Sequence, residues 1–161
     1  MRASRSAAVA VASVLAADSL LHLFWAATGS AWPASTVPAL SRALLNADVP
    51  FTPPVLLPLA GSLVAAAVLV LARAGLVARR LPRWLPMLGT LGVAAGTGVR
   101  AAAGLVWLVT DDPASTFHRL NLAVYTPLCV LLCACAVVVL RYGAAPRPAP
   151  VRSSRPQPGT R

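Results

Sequence analysis

An aspartate and a histidine interrupt an apolar run near the N-terminus, "ADSLLHLFW", at residues 17–25. Asp18, His22 and Trp25 have the spacing i, i+4 and i+7, so a helix would carry all three on one face. A carboxylate beside an imidazole can carry a proton or hold a polar ligand. With Ser19 these side chains also supply the residue types of a catalytic triad. Neighbours on one helix cannot make the successive contacts that a triad needs, so we predict no catalytic residue.

Two further apolar runs contain polar side chains of interest. Arg100 interrupts the first of these runs, and Asn121 and Tyr125 open the second with a spacing of i and i+4, which places them on one helix face. Pro127 follows and removes one helical hydrogen bond, so we predict a kink there. The carbonyl of Ala123, which Pro127 leaves without a donor, would then need another partner.

The elements that must position these residues are membrane spans. Of the 161 residues, 58% are hydrophobic and 11% are charged, far from the composition of a soluble domain. Four segments approach or exceed the roughly 20 apolar residues that cross a bilayer. We therefore predict an all-α integral membrane protein, a four-transmembrane-helix bundle with spans at about 7–27, 54–76, 85–109 and 120–140.

Arginine placement predicts the orientation of these spans. Cytoplasmic segments carry an excess of basic residues. Eleven of the 14 basic residues precede span one, lie between spans two and three, or follow span four, whereas Arg42 and Arg119 lie in the two other loops. Both termini are therefore expected in the cytoplasm. The chain has no lysine or glutamate and is rich in alanine, arginine and proline, which favours a bacterial source and hence a bacterial plasma membrane.

The ends and the first loop carry further signals. We expect residues 143–161, rich in proline and arginine, to be a disordered cytoplasmic tail that meets anionic lipids rather than nucleic acid. "PALSRALLNA", at 38–47, is compatible with a short interfacial helix. The N-terminus has features of a signal peptide, but its apolar run continues past Asp18, which favours a retained span over cleavage.

Asp18 and Arg100 are expected to pair inside the membrane. Both lie nine or ten residues from the outer ends of spans that run in the same direction, a similar depth of about 14 Å. A charge in the bilayer core costs about 2.5–3.5 kcal/mol on insertion scales, so each needs protein or water beside it. Arg100 also belongs to a face of small residues that lets helices approach closely, with glycines at Gly92, Gly96 and Gly104.

These patterns predict one intramembrane polar cluster in the outer half of the bundle, made of Asp18, His22, Arg100, Asn121 and Tyr125. Such a cluster can fix the packing of helices, or it can mark a proton or ligand site. We predict no metal site, because the three cysteines of span four, Cys129, Cys133 and Cys135, lack metal-ligand spacing. No cofactor is predicted, although His22 and His118 leave haem open as a weaker alternative.

The motifs also resemble a known family. "LLHLFWAATGSAW", "GVRAAAG" and "FHRLNLAVYTPLC" resemble an uncharacterised bacterial family of small four-span membrane proteins, a domain of unknown function, over about residues 7–142. The resemblance implies Leu-His-x-x-Trp in the first helix, an arginine in the third and Tyr-[Ser/Thr]-Pro-Leu in the fourth. It also implies that members often carry an acidic residue at the position of Asn121. No activity is implied.

The leading functional prediction is a non-enzymatic accessory or structural membrane protein, in contact with lipid and with either a protein partner or a second copy. The alternative is a small transporter or ligand-binding protein that uses the cluster around His22 and Arg100. A weaker alternative is a redox protein that binds haem or quinone. The absence of lysine excludes Schiff-base chemistry and a phosphate-binding loop lysine.

Overall fold

The computed structural model describes residues 2–78 and 80–143. Every regular element in these residues is helical, which confirms the predicted fold class. The helices are α1 (Arg2–Thr28), α2 (Val37–Leu45), α3 (Pro53–Arg73), α4 (Trp84–Thr110), α5 (Thr116–Leu120) and α6 (Thr126–Tyr142), with a π turn (Asn121–Tyr125) between the last two. Except for Gly143, the predicted tail lies outside the described residues.

Four helices of the described residues are long and apolar enough to cross a membrane. They are α1, α3, α4 and the continuous helix Thr116–Tyr142, in which α5, the π turn and α6 follow without a break. A helix of 27 residues is about 40 Å long and exceeds the roughly 30 Å hydrocarbon core. Their outward surfaces carry many exposed leucines and valines, as expected of side chains that face lipid.

The four long helices form a ring in which α1 packs against α3 and α6, and α4 also packs against α3 and α6. Consecutive spans are antiparallel: Trp25 near the end of α1 packs with Leu56 near the start of α3, and Leu69 near the end of α3 lies against Gly89 near the start of α4. It follows that α1 and α4 run in the same direction and occupy opposite corners of the bundle.

The largest apolar core lies where α1, α3 and α6 meet. Val11, Val70 and Val139 are completely buried there, one from each helix. Polar contacts support the same arrangement. Ser19 Oγ donates a hydrogen bond to the Ala60 carbonyl at 3.0 Å across the α1–α3 interface, and Arg73 Nη2 donates to the Leu140 carbonyl at 2.7 Å at the end of α6.

A short helix covers the opposite end of the bundle, which we call the α2 end. The structure has this helix at Val37–Leu45, in the segment expected to form an interfacial helix. Leu40 is buried with Trp25 and Leu56, so α2 is held by a small apolar core. The buried Ser41 hydroxyl donates to the Ala47 carbonyl at 2.6 Å and fixes the chain that leaves the helix.

Candidate functional site: an arginine centre between α4 and the π turn

Arg100 lies on α4, ten residues before Thr110 at the α2 end of that helix, or about 15 Å along the helix axis. Its Nη1 donates a hydrogen bond to Asn121 Oδ1 at 3.1 Å. Three aromatic rings surround the guanidinium carbon, with centroids at 4.9 Å for Trp107, 6.0 Å for Phe117 and 5.6 Å for Tyr125. The negative face of an aromatic ring attracts a cation, so these rings stabilise the charge in apolar surroundings.

Asn121 is the centre of the hydrogen-bond network around Arg100. It has no exposed surface. Its Nδ2 donates to the Gly104 carbonyl at 2.8 Å, and its Oδ1 also accepts from the Thr126 hydroxyl at 3.1 Å. Both ends of one buried amide therefore connect the fourth span to α4. We call Arg100, Gly104, Asn121, Tyr125 and Thr126 the arginine centre.

The arginine centre coincides with the one turn of the fourth span that departs from α-helical geometry. The Thr126 N–H donates to the Asn121 carbonyl, five residues back, and so closes a π turn. Pro127 follows in the first turn of α6 and has no N–H to continue the ladder. The sequence predicts a kink at Pro127, and the structure has the π turn directly before this proline, where Asn121 and Tyr125 contact Arg100. Single π turns inside helices are frequent at functional sites.

Glycine at position 104 permits the close contact between α4 and α6. A Cβ atom there would collide with Thr126 Oγ1 and would lie 3.1 Å from Asn121 Oδ1. The other two glycines of the predicted packing face are arranged differently. Gly92 and Gly96 are exposed, and a Cβ on either would meet nothing within 4 Å.

A second polar group lies on α1. His22 Nδ1 donates a hydrogen bond to the Asp18 carbonyl oxygen at 2.8 Å, and it also lies 3.4 Å from Asp18 Oδ1. The His22 ring packs edge-on against Trp25 at 5.3 Å, and Trp25 packs in the same way against Phe51. The Trp25 indole N–H donates to the Trp32 carbonyl at 2.7 Å. His22 and Trp25 therefore face the apolar core at the α2 end, whereas the Asp18 side chain is exposed.

The expected ion pair between Asp18 and Arg100 is not formed in the described residues. Asp18 lies beside His22, and Arg100 is bonded to Asn121. The reason is the order of the helices: α1 and α4 occupy opposite corners, so equal depth does not bring their side chains together. The five residues of the predicted cluster therefore lie in two groups, with Asp18 and His22 in one and Arg100, Asn121 and Tyr125 in the other.

The cysteines and the second histidine lie outside both groups. Cys133 Sγ donates to the Ala94 carbonyl at 3.3 Å, across the α4–α6 interface. His118 Nδ1, on α5, is buried and has no hydrogen-bond partner among the described residues. In residues 2–78 and 80–143, no group of three or more His, Cys, Asp or Glu side chains is arranged to hold a metal ion.

Three members of the arginine environment were not predicted from the sequence. Trp107 and Phe117 pack edge-on at 5.3 Å and form a wall beside the guanidinium, and Thr126 completes the amide network. The spacing of Arg100, Gly104 and Trp107, i, i+4 and i+7, was available as a signal that Trp107 shares the face of Arg100. Thr126 gives no such signal, because the π turn shifts its direction relative to a regular helix.

Comparison with known proteins gives a family and no activity. A family model described as a protein of unknown function, DUF3995, matches residues 8–137. This range includes α3 and α4 completely, most of α1 and of the fourth long helix, and every residue of both polar groups. Neither the curated proteins nor the solved structures provide a match to the chain.

Proposed function

The chain belongs to the DUF3995 family, whose function is unknown, and we propose from its own geometry that it is a non-enzymatic accessory or structural protein of a bacterial plasma membrane. In this proposal the arginine centre fixes the packing of the third span against the fourth. At this depth, an interface of apolar side chains alone would not fix how far the third span is shifted along the fourth.

The complete burial of Asn121 carries this proposal. Its amide donates to the Gly104 carbonyl and accepts from Arg100 and Thr126, so three of its four hydrogen-bonding positions are used inside the protein. A group that binds a substrate in alternation with protein would need some of these positions free. Polar side chains that bond across helices commonly hold membrane bundles together.

The separation of the two polar groups argues against the transporter alternative. That alternative needs His22 and Arg100 to act on one ligand or in one proton path. His22 instead packs with Trp25 toward the α2-end core, and Arg100 lies among rings of α4 and the fourth span. No hydrogen bond, ion pair or ring contact joins the two groups within the described residues, so their geometry does not support a shared site.

Substitution of Asn121 tests the structural role. Asn121→Leu leaves the Arg100 guanidinium without its amide acceptor and should lower stability by about 1–3 kcal/mol. Thermal unfolding of the purified protein in mild detergent, followed by size-exclusion chromatography, measures the change. Leu122→Ala is the matched control, because Leu122 is 57% exposed on the same turn. Equal unfolding temperatures for Asn121→Leu and Leu122→Ala would contradict the proposal.

We further propose that both termini lie in the cytoplasm, on the basis of the arginine distribution. Reporter fusions test this orientation. A fluorescent protein fused after the C-terminus should fluoresce, and alkaline phosphatase fused after Asp112 should be active, because that enzyme matures only outside the cytoplasm. The reverse pattern would refute the orientation without affecting the role of Asn121.

A further inference from the structure

The two charges in the middle of the long helices have opposite signs and equal depths. Asp18 lies ten residues before Thr28, where α1 ends, and Arg100 lies ten residues before Thr110, where α4 ends. The two helices run in the same direction, so counting residues from these ends puts both side chains at a similar level along the bundle. They cannot meet in one copy, because α1 and α4 occupy opposite corners of the bundle.

Each of these charges keeps unused hydrogen-bonding groups. The Asp18 side chain is 47% exposed, and among the described residues its carboxylate lies beside one ionisable ring, that of His22, at 3.4 Å from Oδ1. On Arg100 only Nη1 has a hydrogen-bond partner among the described residues, which leaves Nε and Nη2 open. These two nitrogens form the edge that binds a carboxylate through two parallel hydrogen bonds.

The surface beside Arg100 also permits a helix to approach. Gly92, Gly96 and Arg100 recur every four positions, so they lie along one side of α4. A Cβ on either glycine would meet nothing within 4 Å, so no described residue of the same copy covers α4 at these two positions. Small residues on an uncovered face allow the backbones of two membrane helices to come close.

We propose that Asp18 of one copy binds Arg100 of a second copy, with α1 of the first packed beside the Gly92–Gly96 side of α4 of the second. Because the two helices are at opposite corners, each copy presents a different surface to each neighbour. The assembly is therefore heterologous and builds a ring or an open row rather than a two-fold dimer. A carboxylate of the same chain is the occupant because its sign, depth and exposure all match.

Complementation between two single variants tests this pairing. Wild-type copies that carry two different affinity tags should co-purify from mild detergent, and native mass spectrometry should give the number of copies. Asp18→Asn copies alone, and Arg100→Gln copies alone, should each associate at least about tenfold more weakly. Asp18→Asn copies mixed with Arg100→Gln copies should co-purify again, because the first retain Arg100 and the second retain Asp18.

A matched control and clear contrary results complete the experiment. Asp48→Asn removes an exposed carboxylate outside the long helices and should leave association unchanged. Because Asp18 makes few contacts, the Asp18→Asn arm remains informative if Arg100→Gln fails to fold. Wild-type association in Asp18→Asn copies, or a monomeric wild type, would overturn the proposal. So would an anionic lipid that is retained by wild type and Asp18→Asn but lost from Arg100→Gln.

Discussion

Alanine at position 104 would place a methyl group inside the contact between α4 and α6. The new Cβ would collide with Thr126 Oγ1 and would lie 3.2 Å from Thr126 Cβ and 3.1 Å from Asn121 Oδ1. Thr126 is buried and branched at Cβ, so rotation of its side chain moves the hydroxyl but leaves the crowding at Cβ. The helices must therefore separate, or the amide network must break.

The size of the effect follows from three terms. Overpacking of a well-packed interface costs about 1–3 kcal/mol. Loss of the Thr126–Asn121 hydrogen bond adds about 0.6 kcal/mol, the average for such bonds in membrane proteins. Replacement of glycine by alanine returns about 0.4–1 kcal/mol through the unfolded state. Gly104→Ala should therefore be less stable by about 1–3 kcal/mol, a fall of about 2–12 °C in the unfolding temperature.

Gly96→Ala is the control, because it makes the same chemical change on the same helix where a Cβ meets nothing within 4 Å. The unfolding temperature of both variants is compared on monomeric protein in detergent, where no second copy covers the Gly92–Gly96 side. There Gly96→Ala should match or exceed the wild type. Thr126→Ala in the Gly104→Ala background should recover part of the loss, since it removes the colliding hydroxyl. The reasoning is refuted if Gly104→Ala is as stable as Gly96→Ala.

Two further predictions concern single contacts. In the monomer, Asp18→Asn and Arg100→Gln should change the unfolding free energy additively, within about 0.5 kcal/mol, because the two residues do not touch. A double-mutant cycle on monomeric protein measures this. A larger coupling energy would show that the residues are in contact. Ser19→Ala should lower the unfolding free energy by about 0.5–1 kcal/mol, because it removes the hydrogen bond from α1 to the Ala60 carbonyl of α3. Ser62→Ala removes an exposed hydrogen bond within one helix and should be neutral. Equal effects of the two substitutions would contradict a stabilising role for the Ser19 bond.

The number and type of the spans could be predicted from the sequence because they depend on local properties. A run of about 20 apolar residues can satisfy its backbone in lipid only as a helix, whatever its neighbours are. Pro127 predicts a kink from its own chemistry alone, and the structure has a π turn in the residues just before it. The pairing of Asp18 with Arg100 within one copy could not be judged in this way. It depends on which helices share an edge of the bundle, and hydropathy carries no information about that order.

The contact between Thr126 and Asn121 depends on a feature that has only a weak sequence signal. The Thr126 N–H donates five residues back, so the π turn changes the direction of the side chains that follow it. A regular helix of period 3.6 would place Asn121 and Tyr125 on one face but would leave Thr126 on another. The sequence analysis therefore predicted Asn121 and Tyr125 beside Arg100, where the structure has them, and did not predict Thr126.

The different surroundings of the two intramembrane charges argue that they have different roles. Three rings lie beside Arg100 and a buried amide accepts from its Nη1, so its own copy already stabilises much of this charge. Asp18 remains 47% exposed although the buried Ser19 lies next to it on the chain. A carboxylate whose only role was to fold one copy would be expected to face the interior of the bundle, since exposure to lipid is costly. Its position at the surface, level with the open edge of Arg100, is explained if its partner belongs to another copy.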